Sequence, residues 1–220
     1  KVADYLDKMG RKDVGDKLRS DFASGRVYIG KIGANAEVNP GALGAGRSMA
    51  LSDAIINQLT PPKGKASSAN VANWSLTVFH EYVHMDQWMP MEDSMHETPA
   101  WGATLKENGQ WIRKTLDKID QTGNDTSLTS QERGERLKDL RQQLADLQVS
   151  SNVLLNEVRG KLKTGDLDRD YKWQGVPSAG SLEATGIKDI NIIEEHAGAL
   201  VKAGEDEAGR QIAKAEKEIS

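Results

Sequence analysis

The sequence predicts an α+β fold dominated by helix. Three observations carry that expectation. Long stretches near 69–88, 98–120 and 129–163 carry apolar residues at helical spacing, two short apolar runs between glycine-rich turns have strand character, and Thr129 followed by Glu132 is a capping-box pattern that opens the longest helix.

Taken in order, residues 1–24 read as short, polar helix. After Gly25, RVYIGKI places Val27, Ile29 and Ile32 as the apolar positions of a strand, and Gly33 with NPGALGAG (39–46) reads as turns. SMALSDAIINQL is a second strand running into a short helix. PPKGKASS is a loop whose Ser67 and Ser68 are N-cap candidates for the helix from Ala69 to about Trp88, a stretch dense enough in Val71, Trp74, Leu76, Val78, Phe79, Tyr82 and Val83 to be largely buried. Met89-Pro90 stops it, because proline bars its predecessor from helical geometry. MEDSM then reads as a loop, and Thr98-Pro99 starts the next helix. That helix runs through Trp101, Leu105, Trp111, Ile112 and Leu116 to a break at QTGNDTS. Leu137, Leu140, Leu144, Leu147, Leu154 and Val158 form the stripe of the capping-box helix. Residues 164–181 are irregular, and IKDINIIEEHAGALV begins a final helix whose Ala-, Glu- and Lys-rich tail (205–220) reads as a solvated or frayed end. The expected organisation is a core over 1–121 with a helical extension over 122–220 packed on it as one unit.

Composition excludes several functions. The net charge is −4 and the 29 Lys and Arg are scattered, so there is no basic footprint for nucleic acid. No run reaches the ~18–20 apolar residues of a membrane span. The absence of cysteine excludes disulfides, thiolate metal sites and cysteine nucleophiles. The chain opens at Lys1 without Met, as expected of an excised domain or processed product.

Chemistry concentrates in HEYVHMDQW (80–88), which holds two of the four histidines. Residues four apart lie over one another on a helix, so His80 and His84 can aim at a single point and meet a zinc ion at ~2.0–2.1 Å. Glu81 lies ~100° round the axis, placed to take a proton from the water that the metal activates. A shuffled chain of this composition yields H-E-x-x-H about once in two hundred trials, and here the pattern falls in an apolar, helix-compatible stretch.

A catalytic zinc usually has three protein ligands. The metzincin spacing would put a histidine six positions past His84, where Pro90 stands. The downstream candidates are Glu92, Asp93, His96 and Glu97; of these Glu97 opens the next helix as ETPAW, where Ala100 and Trp101 would pack on the HExxH helix and fix the carboxylate's aim. His96 competes with it, or serves as a solvated or supporting residue. His196 reads as a helix-surface residue. Gln87 is close to one turn beyond His84 and reads as a packing or surface residue, with a hydrogen bond near the metal as the other reading, and Tyr171 is a candidate donor to the oxyanion of the reaction. Trp74, Trp101 and Trp111 read as core, whereas Trp88 and Trp173, next to turns, are the cleft candidates. GALGAGR lacks the Gly-Lys-Ser/Thr end of a phosphate loop and reads as a turn.

HEYVH followed by a helix that begins with glutamate resembles the zincin superfamily of zinc metallopeptidases, and within it the gluzincins. That resemblance implies Zn2+ held by His80, His84 and Glu97, with Glu81 as general base. It further implies a zincin-like core with a small upstream sheet whose edge strand binds substrate backbone, for which SMALSD (48–53) is the candidate. The chain departs from the best-known gluzincins in its short gap to the glutamate and in having Trp101 where they carry an aspartate. Compact HExxH domains of this kind also resemble toxin or effector domains of bacterial secretion-linked proteins, which implies a secreted or delivered protein. Its partners would be a peptide or protein substrate, cell-wall peptide included, and an inhibitor or immunity protein. Two other readings stand beside this one. The same three residues could hold iron for oxygen chemistry, which leaves Glu81 without a role. The chain could instead be a helical interaction module whose long hairpin (98–163) binds a partner helix around a structural metal.

Overall fold

A computed structural model describes residues 1–39, 46–61, 66–87, 93–172 and 185–219, with the backbone alone for 93–96. The fold is α+β and mostly helical. Its elements run α1 (Val2–Lys8), α2 (Lys12–Ala23), β1 (Val27–Gly30), β2 (Ala36–Asn39), β3 (Ser48–Ser52), α3 (Ala54–Leu59), α4 (Ser68–Asp86), α5 (Asp93–Asn124), α6 (Ser130–Thr164) and α7 (Ile190–Ile219).

The three strands form one sheet in the order β1-β3-β2, with β1 parallel and β2 antiparallel to β3. The expectation for SMALSD is corrected here: it is the central strand, not an edge. Met49, Ala50 and Leu51 are buried, and an apolar segment satisfies its backbone most fully with a ladder on both sides. β2, absent from the sequence reading, is an edge instead. Only four residues long and half polar, AEVN has too short a pattern to register as a strand without its partner.

Helix α4 is the axis of the molecule. It packs against α1, α3, α5, α6 and strands β2 and β3, and buries residues on every side of its circumference, including Trp74, Val78, Phe79 and Tyr82. Ser67 holds the N-cap position in extended geometry with no capping hydrogen bond from its side chain, and the chain leaves helical geometry at Gln87, which is extended. Helix α5 begins earlier than Thr98-Pro99 predicts. It starts at Asp93, so Pro99 is interior to it and Glu97 sits on a formed turn rather than at the helix opening. Proline at the seventh position costs one hydrogen bond to the carbonyl four residues back. The burial of Thr98, Ala100 and Trp101 beside it shows what holds that turn in place.

The capping box is present: Glu132 N–H donates to Thr129 Oγ1 at 3.2 Å and Thr129 N–H donates to Glu132 Oε2 at 2.9 Å. Helices α5 and α6 form the predicted hairpin, and α7 packs on both. The tail of α7 differs from the solvated end expected from its charge. Ala208, Ile212 and Ala215 are buried, because alanine and glycine at roughly every fourth position give α7 a flat face that lets it approach its neighbours closely. One apolar core runs from Val2 to Ile212, and a smaller cluster gathers Trp101, Leu155, Val158, Ile187 and Ile193. Among the described residues no helix is long and apolar enough to cross a membrane.

Gly204 marks the closest approach. A Cβ there would run into Leu116 Cδ2 and Leu144 Cδ1. Gly→Ala inside a helix normally stabilises by up to ~1 kcal/mol. At Gly204 the collision reverses the sign, and Gly204→Ala is expected to lower stability by about 1–3 kcal/mol in urea unfolding, whereas Gly209→Ala, which meets nothing within 4 Å, stabilises slightly.

Candidate metal centre

His80 and His84 lie one turn apart on α4, and their Nε2 atoms stand 3.1 Å from each other. Each ring's other nitrogen fixes its tautomer. Thr104 Oγ1 spends its proton on the Ala100 carbonyl at 2.7 Å, so it can only accept at 3.2 Å from His80 Nδ1. Gln87 Oε1, an acceptor only, lies 3.0 Å from His84 Nδ1. Both Nδ1 atoms therefore carry hydrogens and both Nε2 atoms present lone pairs to the same point. Two nitrogens at ~2.0–2.1 Å from a tetrahedral ion stand ~3.3–3.4 Å apart, close to the separation seen. Facing lone pairs repel unless a proton or a cation sits between them.

Glu97, from α5, completes the group: Oε1 is 3.5 Å from His84 Nε2 and Oε2 is 4.0 Å from His80 Nε2. The three ligand atoms lie within 4.8 Å of one another, a set that could hold a metal ion. Trp101 does what its position suggested and more. Its Nε1 donates to Glu97 Oε2 at 2.8 Å, and its ring lies 4.3 Å from the His80 ring, so a core tryptophan also braces two of the three ligands. The same Glu-x-x-x-Trp spacing recurs at Glu107 and Trp111. There Trp111 donates to Oε1 at 2.7 Å and Arg11 to Oε2 at 2.8 Å, so both oxygens are spent on structure. Among the described residues the donors at Glu97 meet only Oε2, which leaves Oε1 for a cation.

Glu81 points into the same cleft of ≈ 420 Å³, walled by Asn35 and Ala36 beside β2, by Trp101 on α5 and by Leu154, Glu157 and Lys161 on α6. Burial, then the carboxylates of Glu97, Glu37 and Glu157, push its pKa up to about 8, while Lys161 opposes them. A divalent cation beside it would act in the opposite direction and favour the carboxylate. Burial, then His84 and Lys161, drive His80 down to about 3, which keeps its imidazole neutral as a ligand requires.

The other candidates fall elsewhere. Tyr171 packs partly buried against the Trp101–Leu155 cluster and does not line the cleft, because the irregular segment after α6 turns toward α7. His196 lies half-buried on α7 with its Nε2 3.3 Å from Arg113 on α5, a contact between helices rather than the open helix surface expected for it. Glu92, Trp88 and Trp173, and the side chains of Asp93 and His96, lie outside the described residues. Two contributors escaped sequence reading. Thr104 is spaced i,i+4 from Ala100 on the buried face of α5, a signal visible only once the α4 partner is known. Lys161 comes from α6, 64 positions beyond Glu97, and nothing local announces it.

No protein-family model matches the chain, and neither a curated protein nor a solved structure matches it.

Glu97→Ala is expected to weaken zinc affinity at least a hundredfold by isothermal titration, and His96→Ala to change it by less than tenfold. In the metal-free protein, Glu81 is protonated more readily folded than unfolded, so its contribution to stability is complete below pH 4.5 and is lost as pH rises to about 8. His80 contributes fully above pH 6.5 and loses its contribution as pH falls toward 3. Between pH 6.5 and 8 only the Glu81 effect operates of these two. Metal-free wild type should therefore lose stability across that window in urea titrations, and Glu81→Gln should flatten the loss.

Proposed function

We propose that the protein is a zinc-dependent metallopeptidase that uses Glu81 as general base. The observation that carries this reading is the convergence of two Nε2 lone pairs and the unspent Oε1 of Glu97 at the wall of a cleft lined by His80, Glu97 and the buried carboxylate of Glu81. The donor set fits zinc: two neutral imidazoles and one carboxylate are the His2Glu composition of a catalytic site with a position left open. Zinc bound there supplies Lewis acidity to a water molecule and to the scissile carbonyl.

The chain's own residues do the rest. Thr104 and Gln87 hold the imidazoles in the ligating tautomer, and Trp101 holds Glu97. Glu81 takes the proton of the attacking water and returns it to the leaving amine, a task suited to a carboxylate whose basicity burial has raised. Among the described residues β2 pairs only with β3, and its other edge, at whose start Ala36 lines the cleft, is offered to an extended peptide, the role first assigned to SMALSD. A secreted or delivered effector acting on protein or cell-wall peptide accords with the compact HExxH domain, by analogy alone.

The test is hydrolysis of denatured protein, peptide libraries and peptidoglycan by zinc-loaded protein. Glu81→Gln is expected to keep its zinc and lose activity by about 10²–10⁴-fold. Equal rates in the two proteins would end the mechanism. Chelation is expected to abolish activity while leaving the helical circular dichroism largely intact, because the apolar core from Val2 to Ile212 does not run through the ligands; unfolding on chelation would favour a structural metal instead.

A further inference from the structure

Hydrolysis by this route generates an oxyanion. As water oxygen adds to the carbonyl carbon and its proton passes to Glu81, the carbonyl π electrons move onto oxygen. When the intermediate collapses, the C–N bond breaks and the proton moves from Glu81 to the amine. The negative oxygen calls for a hydrogen-bond donor in addition to the metal. Tyr171, the sequence candidate, is not in the cleft.

The side chains that line the cleft narrow the choice. The Thr77 and Thr104 hydroxyls donate to the carbonyls of Asn73 and Ala100, and Trp101 Nε1–H is given to Glu97. Asn35 and Asn73 are neutral amides. Lys161 is the one cation among the described lining residues. Its Nζ makes only a loose ion pair with Glu97 Oε2, at 3.4 Å, and lies 5.9 Å from the centre of the Trp101 ring. Its stem is anchored on α6 while its side chain remains 30% exposed, so the head can turn to a new partner. Once Glu97 shares its charge with a metal, its hold on Lys161 weakens, and the ammonium keeps all three N–H donors.

We infer that Lys161 is a catalytic residue, whose ammonium donates a hydrogen bond to the oxyanion formed on the substrate carbonyl. Lys161 gives up no proton; it stabilises charge. This rests on the metallopeptidase reading, and it adds a residue from the C-terminal helices to chemistry otherwise carried by α4 and α5.

The experiment uses the full chain loaded with Co2+ as a visible reporter, and inorganic phosphate as a tetrahedral oxyanion probe. Wild type, Lys161→Met and Lys161→Arg are titrated with phosphate while the cobalt spectrum is recorded, after equal cobalt content and helical circular dichroism have been established. Methionine keeps the stem and removes the charge. Phosphate is expected to bind at least tenfold more weakly to Lys161→Met than to wild type, and within about threefold of wild type in Lys161→Arg. With zinc and a cleaved peptide, Lys161→Met should lose about 10²–10³-fold in kcat with KM moved less than threefold. Equal phosphate affinity in wild type and Lys161→Met, or no phosphate binding to wild type, overturns the role of Lys161. The same holds for a loss confined to KM. Charge-dependent phosphate binding in a protein that cleaves no peptide would support the oxyanion site while removing the peptidase reading, so the two failures are distinguishable.

Discussion

The crossing of α5 over α4 is the constraint on which the rest of the structure depends. Helix α4 carries the His80 imidazole and the Glu81 carboxylate into the buried interior, with His84 half-buried beside them, and such groups are costly to bury without partners. Helix α5 supplies the partners at successive turns: Glu97 faces the histidines, Ala100 and Thr104 orient His80, and Trp101 covers the ring and holds the carboxylate. A shift of one turn would separate Thr104 from His80 and Glu97 from His84 together. The metal group is thus a property of one helix–helix contact rather than of a loop.

The sheet and the C-terminal helices complete that contact on its two open sides. Strand β3 anchors the sheet through its buried centre, which leaves β2 at the rim of the cleft. Helix α6 closes the opposite wall with Leu154, Glu157 and Lys161 at successive turns of one face. Helix α7 in turn backs α5 and α6 through a face of small residues, with Gly204 set between Leu116 and Leu144. The helices after residue 121 therefore contribute a wall of the site and do more than decorate a core. Lys161 lines the cleft from α6, the helix that α7 backs.

The electrostatics of the cleft follow from the same packing. Burial makes His80 a weaker base and Glu81 a stronger one, opposite perturbations of two neighbours on one helix. Glu107 shows that a buried carboxylate on α5 need not serve chemistry. Paired with Arg11 and Trp111, it ties the start of α2 to the core. What separates Glu97 from Glu107 is not residue type or local sequence but which donors the surrounding helices bring.

Local physics made much of this legible in the sequence. Helical spacing marked α4 through α7, the Thr129–Glu132 pair marked the start of α6 to the residue, and the i,i+4 geometry of His80 and His84 required no tertiary information, since one helical turn sets it. Glu97 was reachable because a carboxylate one turn before Ala100 and Trp101 had to face whatever those residues packed on. Other features depended on partners distant in sequence. Strand order placed β3 inside and β2 outside, because a four-residue strand has no identity until it pairs. The start of α5 moved ahead of Pro99 because burial of the neighbouring turn outweighed one lost hydrogen bond. The charged tail of α7 was buried through its alanines, whose size matters only against a neighbouring helix. Lys161 reached the cleft from 80 residues beyond Glu81, a juxtaposition decided by the α6 crossing alone, because side-chain chemistry is written in the sequence but proximity is not.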